Sequence, residues 1–573
     1  MRYQQAEWHS IAASPSIGGA ATDSKLPSDA FDVLPLLERE VLEEALRRLP
    51  PRAIGRTLRQ GVVPVAWRPD HLLYAICGPK GADYAARRGL PVVAQIDSPD
   101  FHHCIRRVWG RKILGHATYG LRATRPQFSA RKRLTLAQGT TFLVLAFCLA
   151  LSSAYLPASA IWLAASALLG LFFLSIVALR LFCLFPVSPA KYETAINLGN
   201  AELPTYSILI PVFRETAILP QLLRGLLSLN YPIEKLEIKI IVEEYDSGLR
   251  RALQKYALPP HMEVIVVPQG KPQTKPRALN YALQFCRGSL LTIYDAEDVP
   301  EPNQLRQVAG EFLNADERLA CLQAQLTSYN PNENWLTRQF TVEYATLFGL
   351  ILPALAARNL PLTLGGTSNH FRTHILRKVG GWDSHNVTED ADLGLRLARL
   401  GFRTGVVNSF TDEEANSQFV NWLAQRARWL KGFMQTWLVH MRNPVRTGRE
   451  LGPTGFWTLQ ALTAGNFVSA LFHPFLLALT LWLLITDPPH ASVSTMMLAS
   501  LNLEVFVLGY GVAMLAGVKA LRRLGLKGWW FTIATMPFYW LLMSLAAWLA
   551  LWQFIFAPFK WNKTEHGLSK LQD

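Results

Sequence analysis

Three acidic residues follow directly on a short apolar run in the stretch LLTIYDAEDVPEP, residues 290–302. They are Asp295, Glu297 and Asp298, three acids within four positions. Like charges this close repel each other and raise one another's pKa values unless a cation lies between them. Carboxylate oxygens are ligands that hard divalent cations prefer. The stretch therefore predicts a buried strand that ends at a cation site, against the local alternative of a helix cap or a solvated loop.

Strand-like and helix-like segments alternate around this stretch. The runs YSILIPVFRE, LEIKIIVEEY and MEVIVVPQG have the pattern of strands, and LPQLLRGLLSL and PRALNYALQFC have the pattern of helices. This alternation is typical of a largely parallel α/β sheet, in which ligands bind at the carboxyl ends of the strands. Acids fall at such ends, with Glu215 after the first run and Glu243 and Glu244 in the second.

Two later motifs also carry chemically useful side chains. In VTEDADLGLRL, Thr388 is expected to cap a helix, and Glu389 and Asp390 oppose the helix dipole in its first turn. In QRARW, residues 425–429, an Arg precedes a Trp, a combination that is also common at membrane surfaces. Each motif alone fits an ordinary structural role.

The composition indicates a soluble part combined with membrane segments. Of the 573 residues 50% are hydrophobic and 17% are charged, which is too apolar for an ordinary soluble enzyme and too charged for a pure membrane channel. The formal net charge of +15 fits anionic lipid and a phosphate-rich substrate. The sequence shows no zinc-finger, basic-zipper or RNA-binding pattern, so nucleic acid is not an expected partner.

Two apolar stretches within residues 134–185 are each long enough to cross a bilayer. Their connection SSAYLPAS carries no Lys or Arg, whereas the basic residues 131–133 precede the pair. The positive-inside rule therefore predicts a transmembrane hairpin whose outer ends are cytoplasmic. Further transmembrane or interfacial helices are expected over 455–556, with Pro474 or Pro537 as a break point, and the count of crossings is five or six.

The termini and the N-terminal region have their own patterns. Residues 1–30 are rich in small and polar residues and lack the apolar core of a signal peptide, which predicts a disordered tail. Residues 31–128 are predicted to form a small α/β or α+β cytoplasmic domain for regulation or docking. It resembles the N-terminal domain of type II secretion ATPases, some of which bind cyclic dinucleotides, but their repeated glycine and arginine pattern is not intact here. Residues 557–573 are predicted to be a cytoplasmic tail.

Six motifs between residues 205 and 435 occur in a characteristic order: SILIPVFRE, IIVEEYDSG, TKPRALNYAL, YDAED, VTEDADLGLRL and QRARW. Together they resemble the inverting, processive family 2 glycosyltransferases of membranes, such as bacterial cellulose synthase. The resemblance implies a GT-A-type, Rossmann-like α/β catalytic domain at 200–440, inserted between α-helical transmembrane segments. It does not cover residues 1–130.

The resemblance also implies roles for individual residues. Asp295 and Glu297, which replaces the family's second aspartate, would hold Mg²⁺ or Mn²⁺ at the donor diphosphate. Asp390 would be the base that takes the proton of the acceptor hydroxyl. The expected nucleotide and donor contacts are Glu215, Glu244 (with Glu243 as its alternative), Lys275 and Asp295. The expected acceptor or diphosphate contacts are His370, Glu389, Gln425, Arg428 and Trp429, although His370 equally fits a structural role.

The predicted function is the transfer of a sugar from a nucleotide sugar, expected to be a UDP-sugar, to a growing β-linked exopolysaccharide. Synthesis would be coupled to export across the bacterial inner membrane, with room for an export partner. One alternative is the transfer of a single sugar to a lipid-linked acceptor, which the small number of membrane helices favours and the Q-x-x-R-W pattern disfavours. A third is a non-catalytic membrane scaffold or receptor, for which the Glu-for-Asp changes at Glu244 and Glu297 are the best support.

Overall fold

The structure is a computed structural model, and it describes residues 34–50, 53–68, 71–185, 198–486 and 493–558. The tail predicted at 1–30 lies outside the described residues, as do residues 559–573 of the predicted C-terminal tail. The chain divides into two compact units. The first comprises residues 1–117 with 266–270 and 280–287, and the second comprises the remainder.

The first unit is built on a three-stranded mixed sheet. Strand β1 (Val62–Trp67) pairs antiparallel with β2 (Leu72–Ile76), which pairs parallel with β3 (Val92–Gln95). Its helices are α1 (Arg39–Arg48), α2 (Ile54–Gln60), α3 (Gly78–Arg88) and α4 (Ser98–Thr124), the last of which extends past residue 117. These strands and helices agree with the α/β or α+β class predicted for this region, whereas the predicted boundary at residue 128 stays a prediction. The helix that begins at Ser98 is 27 residues long.

An eight-stranded mixed sheet organises the second unit. Its strands are β4 (Tyr206–Val212), β5 (Leu236–Glu243), β6 (Met262–Val267), β7 (Leu290–Ile293), β8 (Val299–Pro300), β9 (Leu319–Ser328), β10 (Asn369–Arg372) and β11 (Arg403–Glu413). The spatial order is β6-β5-β4-β7-β10-β9-β11-β8. Strand β4 runs parallel to β5 and β7, and β9 runs parallel to β11. The carboxyl ends of β4, β5 and β7 therefore meet at one edge.

The central strands are apolar on both faces. All four residues of β7 are buried, as are six of the seven residues of β4. Strands with helices on both sides lose the alternation of a half-exposed strand and become continuous hydrophobic runs. This explains why the chain passes from LLTI into acidic residues without a polar residue at every second position.

Sixteen helices accompany this sheet within the described part of the second unit. They are α5 (Leu136–Tyr155), α6 (Ala158–Leu184), α7 (Leu219–Leu227), α8 (Ser247–Leu253), α9 (Lys275–Leu283), α10 (Gln304–Asn314), α11 (Trp335–Thr346), α12 (Leu352–Ala356), α13 (Thr373–Lys378), α14 (Glu389–Arg399), α15 (Phe419–His440), α16 (Pro444–Leu462), α17 (Ala464–Thr486), α18 (Val493–Arg523), α19 (Trp530–Ala534) and α20 (Met536–Phe556).

Six helices among the described residues are long and apolar enough to cross a membrane. Five of these helical stretches lie in the two predicted membrane regions: 136–155, 160–184, 464–482, 496–523 and 536–556. The sixth, Trp335–Ala356, belongs to the predicted catalytic block, and 61% of its most apolar window is buried by the rest of the protein. Pro474 lies within α17, whereas Pro537 lies in the first turn of α20, where the chain separates α19 from α20.

The segment that leads into the first apolar helix is held by one arginine. Arg442, just beyond α15, donates hydrogen bonds from Nη1 to the carbonyls of Pro126 and Gln127, and from Nη2 to those of Ser129 and Lys132. Irregular backbone needs partners for its carbonyl groups, and a planar guanidinium can supply several at once.

Candidate active site

Nine of the eleven site residues expected from the sequence line one cavity of about 660 Å³. These nine are Glu215, Lys275, Asp295, Glu297, Glu389, Asp390, Gln425, Arg428 and Trp429. They come from the ends of β4 and β7 and from the starts or interiors of α9, α14 and α15. The structure thus places residues from Glu215 to Trp429, 214 positions apart in the sequence, around one space at the carboxyl ends of the strands, where α/β sheets bind ligands.

Lys275 lies at the centre of the acidic groups. Its Nζ donates a hydrogen bond to Asp295 Oδ1 at 2.5 Å and to the carbonyl of Gly366 at 2.8 Å. A β-carbon built on Gly366 would lie 3.3 Å from Asp390 Oδ2 and 4.0 Å from Lys275 Nζ. Burial opposes the lysine charge, but the nearby carboxylates of Asp295 and Glu389 raise the pKa of Lys275 above its usual range.

The carboxyl groups of the cavity have strongly perturbed pKa values. Burial and repulsion by Asp390 raise the pKa of Glu389 to about 8. Burial raises the pKa of Asp390, while the backbone N–H of Ala391 and the charges of Lys275 and Arg428 oppose that rise. Perturbed carboxyl groups in a cavity are typical of acid–base sites.

The acids after β7 fit a hard divalent cation. Burial raises the pKa of Glu297 well above its usual range, and the neighbouring acids Asp295, Asp298 and Glu215 raise it further. A cation beside Glu297 and Asp295 would relieve this repulsion. The described residues contain no group of three acids, histidines or cysteines gathered as a complete metal site. Mg²⁺ is usually held by one or two carboxylates and completed by substrate phosphates, and Asp295 and Glu297 supply two carboxylates in the cavity wall.

Asp298 shapes the turn and does not line the cavity. Its Oδ2 accepts hydrogen bonds from the Asp295 backbone N–H, at 2.7 Å, and from the Thr367 hydroxyl. The same carboxylate therefore ties the end of β7 to the loop before β10. This contact fixes the direction in which Asp295 leaves its strand.

Helix α15 packs very closely on the start of α14. A β-carbon on Gly432 of α15 would overlap the side chain of Thr388. Thr388 occupies the N-cap position of α14, but its side chain makes no capping hydrogen bond, contrary to expectation. Its hydroxyl contacts the side chains of Asn386 and Thr436 instead. The close approach places Asp390 beside the QRARW residues.

The structure distinguishes between the two glutamates at the end of β5. Glu243 is buried and lines the cavity, and both of its carboxylate oxygens accept from Arg277 Nη2 at 2.6 Å. Glu244 is exposed and is not part of the cavity wall. This placement favours Glu243 for a nucleotide contact and disfavours Glu244, since the two side chains leave the backbone in different directions.

Three of the QRARW residues, Gln425, Arg426 and Arg428, have buried polar atoms without a hydrogen-bond partner among the described residues. Gln425 is 6% exposed, and its Oε1 has no hydrogen-bond partner among the described residues. Nε of Arg428 likewise has no partner among the described residues. Burial lowers the pKa of Arg428, and the nearby charges of Glu389 and Asp390 limit that decrease. Trp429 stacks against Tyr344 with ring centres 6.2 Å apart. Buried polar atoms without a protein partner point to a ligand or water.

His370 is placed away from the cavity. It is fully buried on β10, where its Nδ1 is 2.7 Å from the Tyr206 hydroxyl and its Nε2 is 3.1 Å from Gln304 Oε1. Burial lowers its pKa to about 3. This environment favours the structural role over the acceptor contact, because both ring nitrogens already have partners inside the core.

The sequence analysis does not predict several polar cavity residues, among them Glu343, Glu413 and Arg426. Burial raises the pKa of Glu413 to about 7, and repulsion by Asp295 contributes. Glu413 ends β11 in the stretch TDEEAN. Acids at the end of a strand predict the other carboxylates of the cavity, and Glu413 follows the same pattern.

The cavity continues from the acidic groups into the apolar helices. Its wall there includes Phe173 and Ile176 of α6, His473 of α17, and Phe506 and Tyr510 of α18. One continuous space therefore joins a charged end at the sheet and a largely apolar end between helices long enough to span a membrane.

Residues 204–432 match the family model described as "Glycosyltransferase like family 2". The block between the apolar helices is a glycosyltransferase family 2 domain. The matched range contains β4 to β11 and most of α15, with the QRARW motif included. The family match and the mixed sheet confirm the predicted GT-A-type fold.

Similar proteins cover parts of the chain at low identity. The "Probable glycosyltransferase YdaM" of Bacillus subtilis is 28% identical over 237 residues, 40% of this chain and 56% of that protein. The "Cellulose synthase 1 catalytic subunit [UDP-forming]" of Komagataeibacter xylinus is 25% identical over 301 residues, 49% of this chain and 39% of that protein. The "Beta-monoglucosyldiacylglycerol synthase" of a Synechocystis species is 26% identical over 303 residues, 50% of this chain and 61% of that protein. The chain thus spans less than two thirds of each of these relatives.

Among solved structures, the mannosyltransferase PcManGT of Pyrobaculum calidifontis, in complex with GDP-Man and Mn²⁺, is 16% identical. The likeness covers 69% of this chain and 98% of that one, with a TM-score of 0.41. The fold assignment accordingly depends on the sheet order and the family match. The family match begins at residue 204, so the resemblance of the N-terminal region to secretion ATPases stays a prediction.

Proposed function

We propose that this chain is an inverting, metal-dependent glycosyltransferase that transfers a sugar from a UDP-sugar to a growing β-linked exopolysaccharide. The main support is the cavity, in which donor-side acids, a candidate base and the QRARW residues lie at one end and apolar helices line the other. In this proposal the catalytic block faces the cytoplasm of a bacterial cell, and the glycan leaves between the helices of the inner membrane, with or without an export partner.

Asp390 is the proposed base. As the acceptor hydroxyl attacks the anomeric carbon from the side opposite the diphosphate, its proton passes to the Asp390 carboxylate. Attack from that side inverts the configuration of the donor sugar. Lys275 favours the ionised form of Asp390, since both lie beside the same point of the Gly366 loop.

The donor is held by the other half of the cavity. Asp295 and Glu297 would hold Mg²⁺ or Mn²⁺, which would neutralise the charge that develops on the leaving diphosphate. Arg428 offers its unpartnered Nε to a phosphate oxygen. Glu243, buried with Arg277, is the proposed contact to the nucleotide. The flat face of Trp429 lies in the cavity wall, where a sugar ring can pack against it.

A second candidate is the transfer of one sugar to a lipid acceptor. The helix-lined end of the cavity is rich in apolar side chains such as Phe173, Ile176 and Phe506, against which an acyl chain can pack. The similarity to a relative named as a glucosyldiacylglycerol synthase agrees with this candidate.

The test uses the full chain in nanodiscs with Mg²⁺ or Mn²⁺ and a panel of radiolabelled UDP-sugars, with Asp390→Asn alongside. Label of high molecular weight on gel filtration that is absent in the variant is the expected result. Label that extracts into organic solvent would instead establish the lipid acceptor. Absence of turnover together with absence of metal-dependent UDP binding would refute catalysis and favour the non-catalytic scaffold.

A further inference from the structure

A second polar cluster lines the cavity beside the catalytic carboxylates. It consists of Arg426 on α15, Glu343 on α11 and Tyr539 on α20, and is called the Arg426 cluster below. Arg426 Nη1 donates to Glu343 Oε1 at 2.8 Å, and the Tyr539 hydroxyl donates to Glu343 Oε2 at 2.8 Å. The cluster thus joins the helix of the QRARW motif to two helices that are long and apolar enough to enter a membrane.

Arg426 retains hydrogen-bonding capacity that the protein does not use. The residue is 1% exposed, and its Nε and Nη2 have no hydrogen-bond partner within the described part of the chain. Oε1 of the neighbouring Gln425 likewise has no partner among the residues that the structure describes. Two adjacent residues in the wall of one cavity therefore combine unpaired donors with an unpaired acceptor, although buried polar atoms are normally paired.

Aromatic rings surround the guanidinium of Arg426. Its central carbon lies 4.4 Å from the ring centre of Trp429, 5.0 Å from that of Phe340 and 5.9 Å from that of Trp422. These contacts restrict the orientation of the planar guanidinium. The cavity wall here therefore offers hydrogen-bond donors and an acceptor next to aromatic side chains. Trp429, and Tyr344 on which it stacks, are themselves part of the cavity wall.

A sugar ring matches these features. Its hydroxyl groups both donate and accept hydrogen bonds, and its C–H faces pack on aromatic rings. An acyl chain cannot pair with Arg426 or Gln425, and it would leave their polar atoms buried and unsatisfied. A phosphate could accept from Arg426, but Glu343 already provides a negative charge at 2.8 Å and would repel it.

We infer that the Arg426 cluster is an acceptor subsite that binds the hydroxyl groups of a saccharide. The inference rests on the proposed function and specifies its acceptor as a carbohydrate at this point of the cavity. Arg426 donates to the oxygen of a sugar hydroxyl, and Glu343 and Gln425 accept from sugar hydroxyl hydrogens. Tyr539 holds the Glu343 carboxylate in position.

The experiment measures binding, so it does not depend on turnover. Full-length protein in nanodiscs is titrated calorimetrically with tetrasaccharides of β-linked glucose and of β-linked N-acetylglucosamine, with dioleoylglycerol, and with UDP plus Mn²⁺. We expect the wild type to bind one of the tetrasaccharides. Arg426→Gln and Glu343→Gln should each weaken that binding by about tenfold or more, because each removes a charge-assisted hydrogen bond. UDP affinity should stay within about twofold, since the donor contacts are untouched.

Arg338→Gln is the matched control. Arg338 is also on α11 and also lies over an aromatic ring, 5.5 Å from the centre of Trp529, but it is not part of the cavity wall. It should bind the tetrasaccharide as the wild type does. Arg426→Lys, which keeps the charge, should recover part of the lost affinity.

Several outcomes would overturn the inference. Unchanged tetrasaccharide affinity in Arg426→Gln and Glu343→Gln would do so, and so would a parallel loss of tetrasaccharide and UDP binding, which indicates a structural role. If the wild type binds UDP and dioleoylglycerol but neither tetrasaccharide, the acceptor is a lipid and the inferred saccharide subsite is wrong. The proposed donor site would not be affected by this result. A wild type that binds a tetrasaccharide but not UDP would instead refute the proposed function.

Discussion

Replacing Lys275 by methionine should shift the pH dependence of the reaction. Lys275 Nζ and Asp390 Oδ2 both lie within 4.0 Å of a β-carbon position at Gly366, so they are no more than about 7 Å apart. At an effective dielectric constant of about 20, a unit charge at this distance contributes about 2 kcal/mol. That free energy corresponds to a change of about 30-fold in the ionised fraction of Asp390 at a pH well below its pKa.

The sign follows from the charge. The ammonium group of Lys275 favours the ionised carboxylate of Asp390, and its removal raises the pKa of the base. At a pH well below the pKa values of both proteins, Lys275→Met should be on the order of 30-fold slower than the wild type, because less of the base is ionised. The difference should disappear as the pH rises through the higher pKa.

The assay is UDP release at saturating donor across the pH range, on protein in nanodiscs. Lys271→Met is the control, because Lys271 precedes the same helix but is exposed and lies outside the cavity wall. A variant that is slower by the same factor at every pH would refute the electrostatic argument. It would show that Lys275 acts through donor binding alone.

Three further predictions concern other residues. Glu297→Gln should abolish the strengthening of UDP binding by Mn²⁺ in titrations with and without EDTA, because an amide is a poorer metal ligand than a carboxylate; equal strengthening in both proteins would contradict this. Gly432→Ala should lower the free energy of unfolding by about 1–3 kcal/mol and reduce kcat, because the added methyl group overlaps the Thr388 side chain. A variant with the Tm and the kcat of the wild type would contradict this, since it would show that α14 and α15 can separate without a loss of stability. His370→Leu should lower the Tm, since the buried Tyr206 hydroxyl loses a partner at a cost of about 1–3 kcal/mol. The kcat of the folded fraction should be unchanged. A selective rise in the KM for the acceptor would instead indicate that His370 contacts the acceptor.

Local patterns predicted the elements that carry the site. An apolar run followed by acids is sufficient to predict β7 and its acidic end, because a buried strand and a charged turn are properties of adjacent residues. The same applies to Glu389 and Asp390, which lie in the first turn of α14 as their sequence indicates.

The other features of the site depend on contacts between residues that are distant in the sequence. Glu243 and Glu244 are adjacent in sequence, but Glu243 is buried beside Arg277 of α9 and lines the cavity, whereas Glu244 is exposed. His370 is adjacent to the polar residues Ser368 and Asn369, yet β10 lies between β7 and β9 at the centre of the sheet. Helix α11 and the segment that follows it are apolar enough to cross a membrane, but Glu343 within them interrupts the pattern that sequence inspection recognises. Sequence periodicity reports which face of an element is buried, not which partner covers it.

The four carbonyl contacts of Arg442 link the candidate active site to the first apolar helix. The carbonyls belong to residues 126–132, and the first apolar helix begins only four residues later, at Leu136. On the other side, Arg442 follows α15, which contacts Thr388 through Gly432 and so supports the base. A short series of packed contacts therefore connects the Asp390 carboxylate to the start of the first apolar helix, so a displacement of that helix would be transmitted to the candidate base.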